Sequence, residues 1–166
     1  MLKTNYTRSQ RRVSSISRNQ LPARILACSD QEMRAWGTRL ARHVKPGDVL
    51  LLTGPVGSGK TTFAQGVAAG LGIKQYLRSS SFILVNEYCA RGIAVYHIDL
   101  YRLEGIAFDA FGLEEYMSGE SVCIIEWADK IHLPSTRSCW NIDFQYREEN
   151  TREIIVSHKG FTKPIK

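Results

Sequence analysis

The residues whose types and spacing most clearly indicate chemistry form one short segment, GPVGSGKTT, at 54–62. The segment fits the pattern G-x-x-x-x-G-K-[ST], in which a glycine-rich loop surrounds the phosphates of a nucleotide. Glycines allow the backbone to approach the phosphates closely, so that consecutive N–H groups can point at them. Lys60 is expected to reach the β- and γ-phosphates and to act in catalysis, and the Thr61 hydroxyl is expected to bind Mg²⁺. The residues assigned to nucleotide binding in this segment are Gly54, Gly57, Ser58, Gly59, Lys60, Thr61 and Thr62.

A bound Mg²⁺ needs a further protein ligand, which is commonly an acid at the end of a strand. Two acids follow apolar runs in this chain: Asp99 in VYHIDLYRL and Glu126 in VCIIEW. We expect Glu126 to contact Mg²⁺ directly or through water. We expect Asp99 to act at the ATP site, where it orients the attacking water or shares the metal shell, and the sequence leaves open which acid activates water. The structural alternatives are a helix cap for Asp99 and a surface salt bridge for Glu126.

Three further side chains near these acids have both a functional and a structural interpretation. His97 alternates with apolar neighbours on a strand, which favours a structural histidine over a catalytic one. Trp127 either packs beside the site or closes the core, and Arg102 more commonly forms a local ion pair than senses a γ-phosphate. The sequence has no N-K-x-D motif for guanine, so ATP is the predicted nucleotide.

The elements around the glycine-rich segment can be read from hydrophobic periodicity. A buried strand is predicted at 49–53 and a helix at 61–71, and Ser29 and Glu32 have the capping-box spacing that begins an earlier helix ending near Val44. Further strands are predicted at 81–88, 93–98, 122–126, 138–146 and 152–157, and a helical stretch at about 104–117. We therefore predict an α/β fold, a P-loop NTPase-like three-layer domain whose central parallel sheet has flanking antiparallel strands.

The net charge of +6 is confined to one end of the chain. Residues 1–24 hold six lysines and arginines and no acid, so residues 25–166 sum to zero. The neutral body lacks the bulk basic character expected of a nucleic-acid-binding domain. We interpret 1–24 as a basic, disordered N-terminal extension, 25–160 as a single domain and 161–166 as a short C-terminal tail. The alternatives for the extension are a transit peptide or a weak contact with RNA or a partner.

Cysteine spacing and apolar run length bear on the compartment. The four cysteines are far apart and form no C-x-x-C pair, which argues against zinc or a disulfide framework and suits a reducing cytosol. No apolar run approaches the roughly 18 residues that a membrane helix needs. We therefore predict a cytoplasmic protein with no membrane partner.

Four segments, GPVGSGKTTF, SSSFILVNEY, VYHIDLYRL and IIEW, resemble the TsaE family (also called YjeE) in their order and spacing. The resemblance covers about 25–156, and H-x-D-L-Y-R-L followed by I-E-W is its most specific part. It implies a small Mg²⁺-dependent P-loop ATPase needed to form N6-threonylcarbamoyladenosine beside the anticodon of tRNAs that read codons beginning with A. It also implies that a TsaB–TsaD complex binds this chain and holds the tRNA, and that hydrolysis is weak until that complex binds.

The resemblance assigns roles outside the glycine-rich loop as well. The family's switch-like segment, which responds to the partner, falls on 79–82 and includes Ser79 and Ser81. The family usually has S-P-T there, where this chain has S-S-S. The family also has I-E-W-P-E where this chain has IEWADK. We expect these departures to affect the geometry of the switch segment more than ATP binding. The other positions carried over are Gln31 near the nucleotide base, the acids Asp99 and Glu126, and the tryptophan Trp127.

Two functions of other classes compete with a partner-activated ATPase. A P-loop small-molecule kinase would need an acceptor pocket and commonly an arginine-rich lid, and no arginine occurs between Arg102 and Arg137. A degenerate nucleotide-binding interaction module would not need an intact lysine, threonine and pair of acids. The sequence therefore favours ATP hydrolysis over both.

Overall fold

The computed structural model describes residues 23–77, 85–102, 112–117, 119–131 and 138–159. Most of the predicted N-terminal extension, the C-terminal tail, and Ser79 and Ser81 of the predicted switch lie outside these residues. A short 3₁₀ helix at Ala128–Lys130 follows the fifth strand. The elements in chain order are β1 (Ala23–Ala27), α1 (Asp30–Ala41), β2 (Val49–Thr53), α2 (Lys60–Leu71), β3 (Val85–Ala90), β4 (Ile93–Asp99), α3 (Leu113–Tyr116), β5 (Val122–Glu126), β6 (Cys139–Glu148) and β7 (Thr151–Lys159).

The strands form one seven-stranded sheet in the order β1-β7-β6-β2-β5-β4-β3. The central strands β6, β2, β5 and β4 are parallel to one another. The flanking strands β3, β7 and β1 are antiparallel to their neighbours. The predicted α/β fold with a parallel centre and antiparallel flanks is therefore confirmed.

Side chains alternate between the two faces of the sheet and form two apolar clusters. On β5, Val122 and Ile124 belong to the cluster beneath α1 and α2, whereas Cys123 and Ile125 belong to a cluster that includes Leu113 of α3. Because successive residues of a strand point to opposite faces, these clusters lie on opposite sides of the sheet. The sheet is thus the middle layer of the predicted three.

The helices α1 and α2 pack so closely that glycine is required where they cross. A Cβ atom at Gly37 would lie 2.2 Å from the carbonyl oxygen of Phe63, and one at Gly66 would lie 2.2 Å from that of Arg34. The Thr38 hydroxyl also donates to the carbonyl of Gly66 at 3.0 Å. This backbone contact fixes the position of α2, whose first residues belong to the glycine-rich segment.

Several element boundaries differ from the sequence prediction. Strand β1 was not predicted, because only Ala23, Ile25 and Ala27 point inward and two alanines give a weak alternating pattern. Strand β3 covers Val85–Ala90, and residues 81–84 of the predicted strand lie outside the described residues. Helix α3 covers Leu113–Tyr116 of the helix predicted at 104–117, of which 104–111 is likewise not described.

The predicted capping box is present at the start of α1. The Ser29 hydroxyl accepts from the backbone N–H of Glu32 at 3.1 Å, and the Glu32 carboxylate accepts from the N–H of Cys28 at 2.8 Å. These bonds satisfy N–H groups that have no partner within the helix. Among the helices of the described ranges, none is long and apolar enough to span a bilayer.

Candidate nucleotide-binding site

The glycine-rich loop and both predicted acids meet at one edge of the sheet. Strands β2, β4 and β5 are parallel, so their carboxyl ends lie side by side, and in register Asp99 stands opposite Glu126. A cavity of about 350 Å³ opens at this edge. The predicted site residues that line it are Gly57, Gly59, Lys60, Thr61, Thr62, Asp99, Glu126 and Trp127, together with Asp30, Val56 and Tyr101, which were not predicted.

The loop needs glycine for its backbone and for its packing. Gly54 has a φ of 134°, and a Cβ atom there would lie 2.5 Å from the carbonyl oxygen of Phe144. Gly59 caps α2 with a φ of 98°, and a Cβ atom there would lie 2.8 Å from Cε of Met33. Because glycine offers no side-chain acceptor, the first N–H groups of α2 are left for a ligand, and a helix N-terminus favours an anion.

The ammonium of Lys60 is folded back onto the loop. Its Nζ donates to the carbonyl oxygens of Gly54 at 2.7 Å and Pro55 at 2.8 Å, and it lies 3.9 Å from the ring centroid of Trp127. Burial lowers the pKa of Lys60, and neighbouring carboxylates, chiefly that of Glu126, oppose the shift. Trp127 therefore packs beside the site, which decides between the two interpretations that its sequence position left open.

The Glu126 carboxylate is buried, with 2% of the residue exposed, so a surface salt bridge is the wrong interpretation. Its Oε2 accepts from the Thr61 hydroxyl at 2.8 Å, and its Oε1 lies 2.9 Å from Nε2 of His97. A hydroxyl and a carboxylate are hard oxygen donors of the kind that Mg²⁺ prefers. With Asp99 across the register, these groups fit a magnesium ion bridged to nucleotide phosphates.

Asp99 has a local role besides lining the cavity. Its Oδ1 accepts from the backbone N–H of Tyr101 at 3.0 Å, which stabilises the turn after β4. The carboxylate caps the turn at 101–102, and residues 103–111, on which the predicted alternative of a helix cap depends, lie outside the described residues. Asp99 thus holds the chain at the point where β4 leaves the sheet beside the loop.

Three predicted nucleotide-binding residues, Gln31, Gly54 and Ser58, are not among the residues that line the cavity. Gln31 is an exposed residue in the first turn of α1, next to the cavity-lining Asp30. Ser58 is fully buried, its hydroxyl has no hydrogen-bond partner among the described residues, and it lines a second cavity of about 180 Å³. This second cavity lies on the other side of the loop, between the start of α1 and the β6–β7 turn.

Sequence reasoning missed two supports of the site. The Tyr146 hydroxyl of β6 donates to the carbonyl of Val56 at 2.6 Å and braces the loop. His97, interpreted as structural, contacts Glu126. The signal for His97 was present, because residues two apart on a strand share a face, and His97 therefore lies on the same face as Asp99.

The fold and this edge of the sheet define an α/β protein with a glycine-rich loop, a lysine and two acids gathered at the ends of parallel strands. A family model described as "Threonylcarbamoyl adenosine biosynthesis protein TsaE" matches residues 27–154. This chain therefore belongs to the TsaE family of threonylcarbamoyl adenosine biosynthesis proteins, as the resemblance of its motifs predicted.

Individual relatives agree with the family match. The Bacillus subtilis (strain 168) protein named tRNA threonylcarbamoyladenosine biosynthesis protein TsaE is 38% identical over 130 residues, covering 78% of this chain and 82% of its own. The protein of the same name from Treponema pallidum is 34% identical over 135 residues, covering 81% and 99%. The crystal structure of YdiB from Bacillus subtilis aligns with a TM-score of 0.66 at 34% identity, covering 81% of this chain and 84% of that one.

Proposed function

We propose that this chain binds ATP and Mg²⁺ at the cavity beside the glycine-rich loop and hydrolyses ATP during the formation of N6-threonylcarbamoyladenosine in tRNA. The observation that carries the proposal is the contact between Thr61 and Glu126. The residue directly after the loop lysine donates to a buried strand-end carboxylate at 2.8 Å. A hydroxyl and a carboxylate in contact are the pair that holds Mg²⁺ against nucleotide phosphates in loops of this type.

Each side chain then has a task that its position supports. The backbone N–H groups of the loop and the start of α2 bind phosphate oxygens. Lys60 would neutralise charge on the β- and γ-phosphates. Thr61 and Glu126 would hold Mg²⁺, and a bound Mg²⁺ would supply electrostatic stabilisation for phosphoryl transfer. Asp99 orients the attacking water or shares the metal shell, and a role reversal between the two acids stays open.

The proposed macromolecular partner is a TsaB–TsaD complex, with tRNA contacted only through that complex. This rests on family membership and on charge, because residues 25–166 carry no net charge to attract a phosphate backbone. A site completed by a partner would hydrolyse ATP slowly when the chain is alone. We propose the cytoplasm as the compartment, because the four cysteines form no C-x-x-C pair and suit a reducing environment.

The test is phosphate release from ATP by the purified chain, alone and with its cognate TsaB–TsaD complex, in Mg²⁺ and in EDTA. Stimulation by the complex that requires Mg²⁺ and is lost in Lys60→Ala supports the proposal. Lys45→Ala is the matched control, because Lys45 is exposed and lines a cavity at the opposite end of the sheet. Absence of ATP binding would overturn the proposal, and ADP formation that depends on an added alcohol or nucleoside would favour the small-molecule kinase.

A further inference from the structure

A buried histidine reaches the acid of the site from the neighbouring strand. His97 is fully buried on β4, and its Nε2 lies 2.9 Å from Oε1 of Glu126. The register pairs His97 with Ile124, so the ring reaches diagonally along β5 to the residue two positions further on. Such diagonal neighbours are within reach of long side chains. His97 is not among the described residues that line the cavity, so it acts on the site through Glu126.

The surroundings of the ring assign its proton. A neutral imidazole has one N–H donor and one acceptor nitrogen, whereas an ionised carboxylate only accepts. In the neutral ring that faces a carboxylate acceptor, Nε2 is the nitrogen that carries the hydrogen, and it donates a hydrogen bond to Glu126. The other nitrogen, Nδ1, is buried and has no hydrogen-bond partner among the described residues, so it is left as a bare acceptor.

The unpaired nitrogen makes histidine a costly choice for a purely structural position. A buried polar atom without a partner costs free energy, and an apolar side chain would avoid that cost. The same strand carries Val95 and Ile98, which are both buried. The histidine at this position leaves one atom without a partner among the described residues, and the contact that sets it apart from these neighbours is the one with Glu126.

The contact with His97 gives the two oxygens of the Glu126 carboxylate different partners. With Oε1 held by the ring, Oε2 is directed at Thr61 and at the edge where the phosphates and Mg²⁺ are proposed to bind. Ligating carboxylates are commonly oriented by such a second hydrogen bond. Without it, the carboxylate is free to rotate about its last torsion, which is broad and roughly two-fold.

We propose that His97 is a positioning residue that holds the Glu126 carboxylate in the orientation needed to bind Mg²⁺ with the nucleotide. This rests on the proposed function, because it assigns the metal to the same site. Its measurable consequence is a loss of coupling between Mg²⁺ and the nucleotide. A protein without the His97 contact should bind ADP as the wild type does in EDTA, since the loop and Lys60 are intact. The increase in ADP affinity that added Mg²⁺ produces should be smaller.

The experiment compares three variants of the full-length chain by calorimetric titration with ADP, in excess MgCl₂ and in EDTA. His97→Leu removes the donor, and His97→Gln keeps an N–H donor at a similar reach. Val95→Ala is the matched control, because it perturbs the same buried face of β4 without a contact to Glu126. Thermal unfolding of each variant and its ADP affinity in EDTA report whether the fold and the loop are preserved.

For His97→Leu we expect the ratio of the ADP dissociation constant in EDTA to that in MgCl₂ to fall by about 10-fold or more. This is the scale of effect when a hydrogen-bond partner of a metal ligand is lost. We expect His97→Gln to recover most of the ratio and Val95→Ala to keep it. If Mg²⁺ raises the ADP affinity of the wild type and of His97→Leu equally, the positioning role alone is overturned. A wild-type protein whose ADP affinity ignores Mg²⁺ overturns the proposed metal site and this role together.

The proton assignment gives a second readout that needs neither metal nor turnover. Nitrogen NMR of the ligand-free protein should show His97 with its proton on Nε2, and this signal should change in Glu126→Gln. A proton on Nδ1 would contradict the proposal, because Nε2 could then not donate to the carboxylate.

Discussion

Two buried carboxylates lie at opposite ends of the sheet and are held in different ways. Asp48, just before β2, accepts from the backbone N–H of Lys45 at 2.9 Å, from Nε1 of Trp140 at 3.0 Å and from the Ser138 hydroxyl at 3.2 Å. Glu126, at the end of β5, accepts from one hydroxyl and one histidine and lines a cavity. The three bonds of Asp48 tie the α1–β2 loop to β6, whereas Glu126 keeps one oxygen at an opening where a ligand can reach it.

We interpret this difference as one between a structural acid and the acid for which we propose a role in magnesium binding. Both residues are nearly fully buried, with 5% of Asp48 and 2% of Glu126 exposed, so burial does not distinguish them. The distinction lies in the donors. Asp48 accepts from its own loop, from Ser138 and from Trp140, whereas Glu126 contacts the residue that follows the loop lysine and lines the cavity. We therefore expect substitutions at the two acids to affect different measurements.

The largest effect is expected for Glu126→Gln. Loss of one carboxylate charge should lower Mg²⁺-dependent, partner-stimulated ATP hydrolysis by more than about 100-fold, since changing even the groups that support a metal ligand costs about 10–100-fold. Asp48→Asn is the control and should leave the rate of the folded protein unchanged. A normal rate for Glu126→Gln would show that Glu126 is not a metal ligand.

For Asp48→Ala we expect a loss of stability with no loss of nucleotide binding. The stability is measured as the free energy of unfolding in urea. The variant leaves the buried N–H of Trp140 and the part-buried N–H of Lys45 without their carboxylate acceptor, so stability should fall by about 3 kcal/mol. Its ADP affinity under folding conditions should remain that of the wild type. If Asp48→Ala lost nucleotide binding while it stayed fully folded, the division between the two ends of the sheet would be wrong.

A smaller effect is expected where the cavity meets α1. Ser29→Ala removes the hydroxyl that caps the helix, and caps of this type contribute about 1 kcal/mol to stability. Thermal unfolding should detect the loss. Ser29→Asn, which can still accept from the same N–H, should unfold close to the wild type, and equal losses in both variants would count against the cap.

The smallest effect is expected for Tyr146→Phe, which removes the hydroxyl that braces the loop. Tyr146 is 50% exposed, so its bond to the Val56 carbonyl competes with water. ADP affinity should fall by at most about fivefold, corresponding to about 1 kcal/mol. Tyr76→Phe, at a tyrosine with 64% exposure, is the control and should have no effect on ADP affinity.

The local parts of the fold could be predicted from the sequence because their signals are local. The strand at Val49–Thr53 and the loop and helix that follow it were predicted within a residue or two. The strand at Ile93–Asp99 was also predicted within a residue, and Arg91 and Gly92 before it have the positive φ values of a tight hairpin turn. The strand-end position of both acids followed from the apolar runs before them.

The contacts that distinguish the two acids could not be predicted, because they depend on strand order. Trp140 is 92 residues from Asp48, and Glu126 is 65 residues from Thr61. These pairs meet only because β2 lies between β6 and β5. Hydrophobic periodicity gives the strands and their faces, but it does not give the order in which they pair.

The position of Lys60 has a consequence for how tightly a nucleotide can bind. The carbonyl oxygens of Gly54 and Pro55 and the ring of Trp127 occupy the ammonium that a phosphate would contact. They act as an intramolecular competitor, because the lysine must leave them before it can serve a ligand. Under the proposed function, the nucleotide affinity would then be a difference between two sets of contacts. Any event that moves Trp127 away from Lys60 would raise that affinity without adding a single contact to the nucleotide.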